Sequence, residues 1–222
     1  KEDPRLRELE STRKAQERRL EALASDSGPL HAMSVHRTLR SLLDDDTCLI
    51  FEGSDFGFYG AAYYPSLIPR RWFTNGTLGM LGWGIPFGIG AQAALPNSKV
   101  VVLAGDGSFG FNGMEIDTAV RHNLPVTVVV GSDGVWGIDY HQQVQLFGKA
   151  VATELLPTRY DKIAEAMGAH GEYVERADQL PGALERALSS NKPAVVNVKT
   201  QPSPSPLTEW VLRTKGGAAE TK

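Results

Sequence analysis

Two aspartates lie in glycine-containing turns that directly follow valine-rich runs. Asp106 lies in the turn GDGS after KVVVLA, and Asp133 lies in the turn GSDG after PVTVVV. If both runs are buried parallel strands, the two turns meet at the sheet edge where ligands of open α/β sheets bind. Two carboxylates facing one crevice suit a hard cation such as Mg²⁺, which bridges to phosphate oxygens. Either turn alone is also an ordinary Asp-capped turn, so the prediction of a metal site depends on the pair.

Backbone N–H groups add to this chemistry. The turn at Gly107 and Ser108 precedes a predicted helix, and a helix N-terminus behind a glycine turn favours phosphate. The segment from Asn75 to Gly84 contains four glycines, which let the backbone come close to a flat ligand. Tight packing of a helix start against the sheet is the other interpretation of that segment.

Strand and helix patterns alternate along most of the chain. Uninterrupted valine runs between helices indicate strands buried on both faces, and therefore an α/β fold with a parallel sheet. Strands are predicted at 47–51, 71–74, 99–104, 125–130, 172–174 and 194–198. Helices are predicted at 4–24, 34–43, 81–94, 113–122, 160–167 and 179–189.

Composition restricts the class of protein. The 222 residues are 41% hydrophobic and 22% charged, as in globular proteins, and the net charge of -3 argues against nucleic-acid binding. Cys48 is the only cysteine, which excludes an internal disulfide and suits the cytoplasm. The longest mostly apolar stretch, 80–95, is interrupted by glycine and proline, so no membrane span is predicted.

The chain divides into three predicted parts. Residues 1–27 are a charged helical connector in which Leu6, Leu9, Leu20 and Leu23 form a thin apolar stripe. Residues 28–200 form one domain, which begins after the helix-breaking SDSGP segment. Residues 201–222 are a tail that contains one tryptophan and is a candidate lid over the site.

The joined motifs resemble the cofactor-binding half of thiamine diphosphate (ThDP) enzymes. GTLGMLGWGIPFGIGAQAALP is similar to the segment that grips the aminopyrimidine ring in the acetolactate synthase, oxalyl-CoA decarboxylase and 2-hydroxyacyl-CoA lyase branch. GDGSFGFNGMEIDTAVRHNLPVTVVV is similar to the metal and diphosphate segment of that branch. The resemblance runs from about residue 31 to 200. It implies a three-layer fold, with a central, mainly parallel sheet and helices on both faces.

The resemblance also implies ligands. Mg²⁺ would be held by the carboxylates of Asp106 and Asp133 and by the carbonyl of Val135, although the family usually has Asn at the Asp133 position. Leu81 would be the apolar wedge under the bent cofactor, unless it packs in the core. The Gly79 carbonyl would accept from the aminopyrimidine. The implied cofactor contacts are Ser54, Gly79, Met80, Leu81, Gly107, Ser108, Val135 and Trp136.

The residues implied for catalysis are fewer. The run after Asp133 faces the cofactor in this family, which makes Tyr140, Gln142 and Gln143 candidates for contacting substrate; an ordinary surface helix turn is the alternative. The family's activating glutamate comes from a separate pyrimidine-side (PYR) domain, for which 222 residues leave no room. We therefore expect a partner chain, or a longer polypeptide, that supplies the PYR and middle domains in an oligomer.

The expected activity is that of a lyase. The run GSFGFNGMEIDTAVRHNLP, the Glu52-Gly53 pair and the tryptophan in the tail resemble 2-hydroxyacyl-CoA lyases, which release formyl-CoA and a ketone or aldehyde. The acyl-CoA would then be the substrate. An acetolactate-synthase-like carboligase or a 2-oxo acid decarboxylase is the alternative. A non-catalytic cofactor-binding module is a third reading, favoured by the unusual carboxylates Asp55 and Asp133.

Overall fold

The computed structural model describes residues 3–25 and 29–219. Six strands form one parallel sheet in the order β2-β1-β3-β4-β6-β5. The strands are β1 (Cys48–Phe51), β2 (Trp72–Thr74), β3 (Val100–Gly105), β4 (Thr127–Ser132), β5 (His170–Val174) and β6 (Ala194–Lys199). Every predicted strand is therefore present, and the α/β prediction is confirmed.

Helices surround this sheet. They are α1 (Pro4–Glu21), α2 (Ala32–Arg40), α3 (Asp55–Tyr63), α4 (Gly84–Ala94), α5 (Asp106–Asn112), α6 (Ile116–Arg121), α7 (Gly137–Phe147), α8 (Tyr160–Ala166), α9 (Leu180–Ser189) and α10 (Pro206–Ala219). The six predicted helices are among them. Several of their boundaries shift by one to three residues. For example, α4 begins at Gly84 rather than at residue 81, and the segment from 113 opens with a 3₁₀ turn before α6.

Two buried clusters show why the valine runs carry no polar alternation. Val101 and Leu103 of β3 face one cluster, whereas Val100, Val102 and Ala104 face the other. Since successive side chains of a strand point to opposite faces, both faces of β3 are covered. The sheet is thus the middle of three layers.

Helix α3 was not predicted because its composition is misleading. Two glycines occur in it, and glycine lowers helix propensity. Their small size is required: a Cβ at Gly57 would overlap the Glu52 carbonyl oxygen, and one at Gly60 would lie 2.8 Å from the Phe51 ring. The side chain of Ser54 caps the helix by accepting from the Gly57 N–H at 2.9 Å.

The two ends of the chain pack on this domain. Leu20 of α1 joins a buried cluster, while Leu6 and Leu9 remain exposed. The tail predicted as a possible lid forms α10, which packs against α7 and α3. The predicted domain start at residue 28 lies outside the described residues. Within the described ranges, no helix is both long and apolar enough to cross a membrane.

Replacement of Leu20 should test whether α1 is more than a connector. Leu20 is 3% exposed, so Leu20→Ala should lower the free energy of unfolding by about 2–4 kcal/mol through lost burial and a cavity. Leu9→Ala on the same helix, where the leucine is 65% exposed, is the matched control and should change it little. Urea unfolding followed by circular dichroism measures both; equal effects would contradict the docked position of α1.

Candidate cofactor and metal site

A crevice lies at the carboxyl edge of the sheet, where β1, β3 and β4 end side by side. The turns after these three strands form its floor, and the loop before α4 and the first turn of α7 form its walls. The lining residues are Gly53, Ser54, Asp55, Phe56, Leu81, Gly105, Asp106, Gly107, Ser108, Gly131, Asp133, Val135, Trp136, Gly137, Ile138 and Asp139. The two aspartates predicted to share a site therefore do share one.

Asp106 is held by backbone donors on both sides. Its Oδ1 accepts from the Gly107 N–H and its Oδ2 from the Gly134 N–H, each at 2.8 Å. The second of these bonds ties the turn after β3 to the turn after β4. Burial raises the pKa of Asp106, and these N–H groups oppose the rise by stabilising the charged form.

Asp133 lies in the turn after β4, where the negative charges of neighbouring carboxylates act on it. Its Oδ1 accepts from the Val135 N–H at 3.1 Å. Burial raises the pKa of Asp133 to about 7, and the negative charge of Asp106 adds to the rise. A divalent cation between the two carboxylates would remove this repulsion, so the donor set fits Mg²⁺.

This metal set has two carboxylates and one predicted backbone carbonyl. In the part of the chain that the structure describes, no group of three or more His, Cys, Asp or Glu side chains could hold a metal. A site of this composition therefore leaves coordination positions for phosphate oxygens and water, as Mg²⁺ sites commonly do.

The glycines at 105 and 107 leave space for neighbouring side chains to approach the turn after β3 closely. A Cβ at Gly105 would lie 2.7 Å from the Ser54 side chain, and a Cβ at Gly107 would lie 2.8 Å from the Trp136 ring. Neither position accepts a larger residue without displacing a wall. Trp136, predicted as a cofactor contact, therefore lies directly over the GDG turn.

The two predicted serines are engaged within the protein. Ser54 caps α3, and the Ser108 hydroxyl donates to the Gly53 carbonyl. The second of these bonds joins the turns after β1 and β3. The diphosphate contacts predicted at Ser54, Gly107 and Ser108 remain predictions, and backbone N–H groups are the donors we expect to matter most.

The glycine-rich loop contains one short 3₁₀ turn, at Gly76–Leu78, and has no α-helix before α4 begins at Gly84. Gly76, Gly79 and Gly82 all have positive φ, so the loop turns sharply three times before α4 begins. Leu81 lines the crevice, with its Cδ2 2.9 Å from where a Cβ on Gly53 would be. Met80 is exposed. The role of Leu81 as a wedge stays a prediction.

Glu52 lies beneath this loop. Its side chain is fully buried, and among the described residues neither carboxyl oxygen completes a hydrogen bond. Burial raises the pKa of Glu52 to about 7, and backbone N–H groups of residues 82–84 face the carboxyl and oppose the rise. The position of Glu52 beneath this loop could not be predicted, because residues 82–84 are distant from it along the chain.

The predicted catalytic residues Tyr140, Gln142 and Gln143 lie on α7, further towards its C-terminal end than the residues that line the crevice. That wall is formed by Gly137, Ile138 and Asp139. The Gln143 side-chain oxygen accepts from the Val151 N–H at 2.7 Å, which fixes the end of α7 to the following segment. Tyr140 and Gln142 are half-buried. Sequence reasoning overlooked Ile138 and Asp139, although both stand in the first turn after the metal-site motif.

Asp55 lines the crevice, and its carboxylate is also bound by the tail. Its Oδ1 accepts from the Ser205 N–H at 2.8 Å and from the Thr208 hydroxyl at 2.6 Å. These donors belong to the start of α10. Part of its negative charge is therefore compensated by the tail, which weakens the argument that Asp55 makes the site unsuitable for diphosphate.

Comparisons with known proteins agree with this geometry. Residues 54–198 match the family "Thiamine pyrophosphate enzyme, C-terminal TPP binding domain". The chain is 46% identical over 182 residues to the acetolactate synthase large subunit IlvG of Mycobacterium tuberculosis, covering 82% of this chain and 33% of that protein. It is 38% identical over 178 residues to 2-hydroxyacyl-CoA lyase 2 of Caenorhabditis elegans, covering 78% and 28%.

A third relative is oxalyl-CoA decarboxylase of Escherichia coli, 36% identical over 188 residues, which are 82% of this chain and 33% of that protein. The chain thus spans about a third of the length of these curated relatives. The family match covers most of the chain and includes the turns that hold Asp106 and Asp133. This chain belongs to the thiamine diphosphate-dependent enzymes and contains their C-terminal cofactor-binding domain.

Proposed function

We propose that this chain supplies the Mg²⁺ and diphosphate half of a ThDP-dependent 2-hydroxyacyl-CoA lyase. The observation that supports it most is the shared crevice of Asp106 and Asp133, in which one carboxylate raises the pKa of the other. Such a pair is unfavourable without a cation and favourable around one. The cofactor supplies the carbanion chemistry when bound.

The residues of this chain would bind and orient Mg²⁺ and the cofactor. Asp106 and Asp133, with the Val135 carbonyl, would hold Mg²⁺, and N–H groups of the GDG turn would donate to the diphosphate. Leu81 and the Gly79 carbonyl would hold the aminopyrimidine. Tyr140, Gln142 and Gln143 stay candidates for substrate contact, with the crevice wall residues Ile138 and Asp139 added by the structure.

A CoA thioester is the substrate we infer. Helix α10 packs against α7, whose first turn lines the crevice, and Trp210 of α10 is exposed. An exposed aromatic side chain on this helix is available to contact the adenine or pantetheine part of CoA. The tail therefore stays our candidate for covering substrate. The lyase and decarboxylase relatives are both named for acyl-CoA chemistry.

Carboligation of 2-oxo acids is the second candidate. The relative named acetolactate synthase is 46% identical to this chain, more than the lyase and decarboxylase named above. A test would assay the enzyme assembled with its PYR domain, with ThDP and Mg²⁺ present. Formyl-CoA release from a 2-hydroxyacyl-CoA would support the lyase; acetolactate formation from pyruvate without CoA would support the synthase instead. Turnover of neither, without ThDP binding, would favour the non-catalytic module.

A complementary domain is needed to finish the site, and an apolar surface marks where it would bind. Leu78, Met80, Phe111 and Met114 are exposed, and Phe111 contacts both the Gly82 position and Trp136. We infer that the PYR domain covers this surface in an oligomer. Trp72, by contrast, packs on Phe51 and donates to the Tyr64 carbonyl. The buried free thiol of Cys48 is compatible with the cytoplasm.

Asp106→Asn should separate metal binding from folding. The variant keeps the shape but loses the charge that holds the cation, so Mg²⁺-dependent ThDP binding should weaken by about 100-fold. Isothermal titration calorimetry of the assembled enzyme measures it. Asp117→Asn, an exposed carboxylate on α6 paired with Arg121, is the control and should bind as wild type. Unchanged affinity in Asp106→Asn would contradict the assigned metal site.

Asp133→Asn should stabilise the metal-free protein in a pH-dependent way. The pKa of Asp133 is raised to about 7 in the folded state, so ionising this group destabilises the fold increasingly between pH 4 and pH 7. Asn never ionises, and its advantage should grow by about 2 kcal/mol from pH 5 to pH 8. Urea unfolding in chelator measures this, with the exposed Asp45→Asn as the control. A gain that is larger at pH 5 would have the wrong sign.

A further inference from the structure

We propose that Asp55 is a positioning residue that fastens the C-terminal helix α10 to the first turn of α7. Through this link, α10 would set the crevice wall at Gly137, Ile138 and Asp139. The statement that this wall faces substrate rests on the proposed function; the mechanical link between the helices does not.

The attachment to α10 is buried and directional. Asp55 is 3% exposed, and its Oδ1 accepts from the Ser205 N–H at 2.8 Å and the Thr208 hydroxyl at 2.6 Å. Ser205 and Thr208 are themselves fully buried. Hydrogen bonds to a buried charge are stronger than neutral ones, and removing a donor leaves that charge without compensation. The start of α10 is therefore held at one place.

The other oxygen of Asp55 faces α7. Its Oδ2 lies 3.9 Å from the Nε2 of His141, and a Cβ on Gly137 would lie 2.6 Å from it. Among the described residues, neither that Oδ2 nor the His141 Nε2 has a hydrogen-bond partner. The carboxylate thus fills the space between the start of α3 and the first turn of α7.

Three further contacts hold the rest of the tail against α3, α7 and α1. The Tyr59 hydroxyl donates to the Pro204 carbonyl at 2.7 Å, and the Gln145 side chain donates to the Leu212 carbonyl at 3.1 Å. Arg19 of α1 pairs with Glu209 at 3.0 Å. The last two contacts are exposed, so each contributes little, and Asp55 is the buried anchor of the set.

The position of Asp55 connects this anchor to the crevice. Asp55 directly follows Ser54, which caps α3 at the crevice floor, and it contacts the turn of α7 that forms the wall. A shift of α10 would therefore displace the wall more than the metal turns, because Asp106 and Asp133 are held by their own backbone donors. We expect substrate turnover to depend on Asp55 more strongly than cofactor affinity does.

The test uses the assembled enzyme and the variants Thr208→Val, Asp55→Ala and Asp55→Asn. Thr208→Val removes one donor to a buried charge, so hydrogen-exchange protection of α7 and kcat/KM should each fall about 10-fold. The ThDP concentration needed for half activation should change less. Asp55→Ala should act more strongly, and Asp55→Asn, whose amide oxygen accepts from the same donors, should restore most of the protection. Thr47→Val replaces a buried threonine without a partner at the other end of β1, and should behave as wild type.

Normal α7 protection and normal kcat/KM in Thr208→Val and Asp55→Ala would overturn the inference. So would equal losses in Thr47→Val, because the effect would then be general destabilisation. If Asp55→Ala does not fold, Thr208→Val and Asp55→Asn still decide the matter. If the wild type turns over neither an acyl-CoA nor pyruvate, the proposed function fails, and hydrogen exchange alone still tests the link between α10 and α7.

Discussion

Three carboxylates lie where β1, β3 and β4 end side by side, and the fold must compensate their charges, two of which, on Asp55 and Asp106, are buried. Parallel pairing makes this unavoidable, since the turns after adjacent strands share one edge. Different hydrogen-bond donors compensate each of the three charges. Tail donors hold Asp55, and backbone amides hold Asp106. Asp133 is left with one amide and a raised pKa, so a cation has most to stabilise there.

The same constraint explains features that look unrelated in sequence. The glycines at 105 and 107 are needed because Ser54 and Trp136 approach their backbones closely. The tail is needed because a buried Asp55 without donors would destabilise the fold by leaving a charge unpaired. Helix α10 is therefore part of the structure that forms the crevice, and the turns of Asp106 and Asp133 are held by other contacts than those that hold Asp55.

Much of this was predictable, and the failures have physical causes. Periodicity located all six strands because buried valine runs leave little ambiguity, and the spacing of motifs brought Asp106 and Asp133 together. Helices α3, α5 and α10 were missed. Two glycines lower the helix propensity of α3 and of α5, although close approach to Phe51 requires the glycine at 60, and packing on Asp55 stabilises a proline-rich tail. The sequence drew attention to Asp55 and Glu52, but their contacts could not be predicted, since they involve residues far away along the chain.

The residues that decide which reaction is catalysed must lie largely outside the turns that contain Asp106 and Asp133. Proteins named as a synthase, a lyase and a decarboxylase each match about four fifths of this chain, so one cofactor-binding half is compatible with different products. Within this chain, the crevice wall that we propose faces substrate is the first turn of α7, beside which α10 packs. If Asp55 fixes that turn, the tail would set the geometry offered to substrate, and the remaining selectivity would belong to the domain that we propose covers the exposed surface around Leu78 and Phe111.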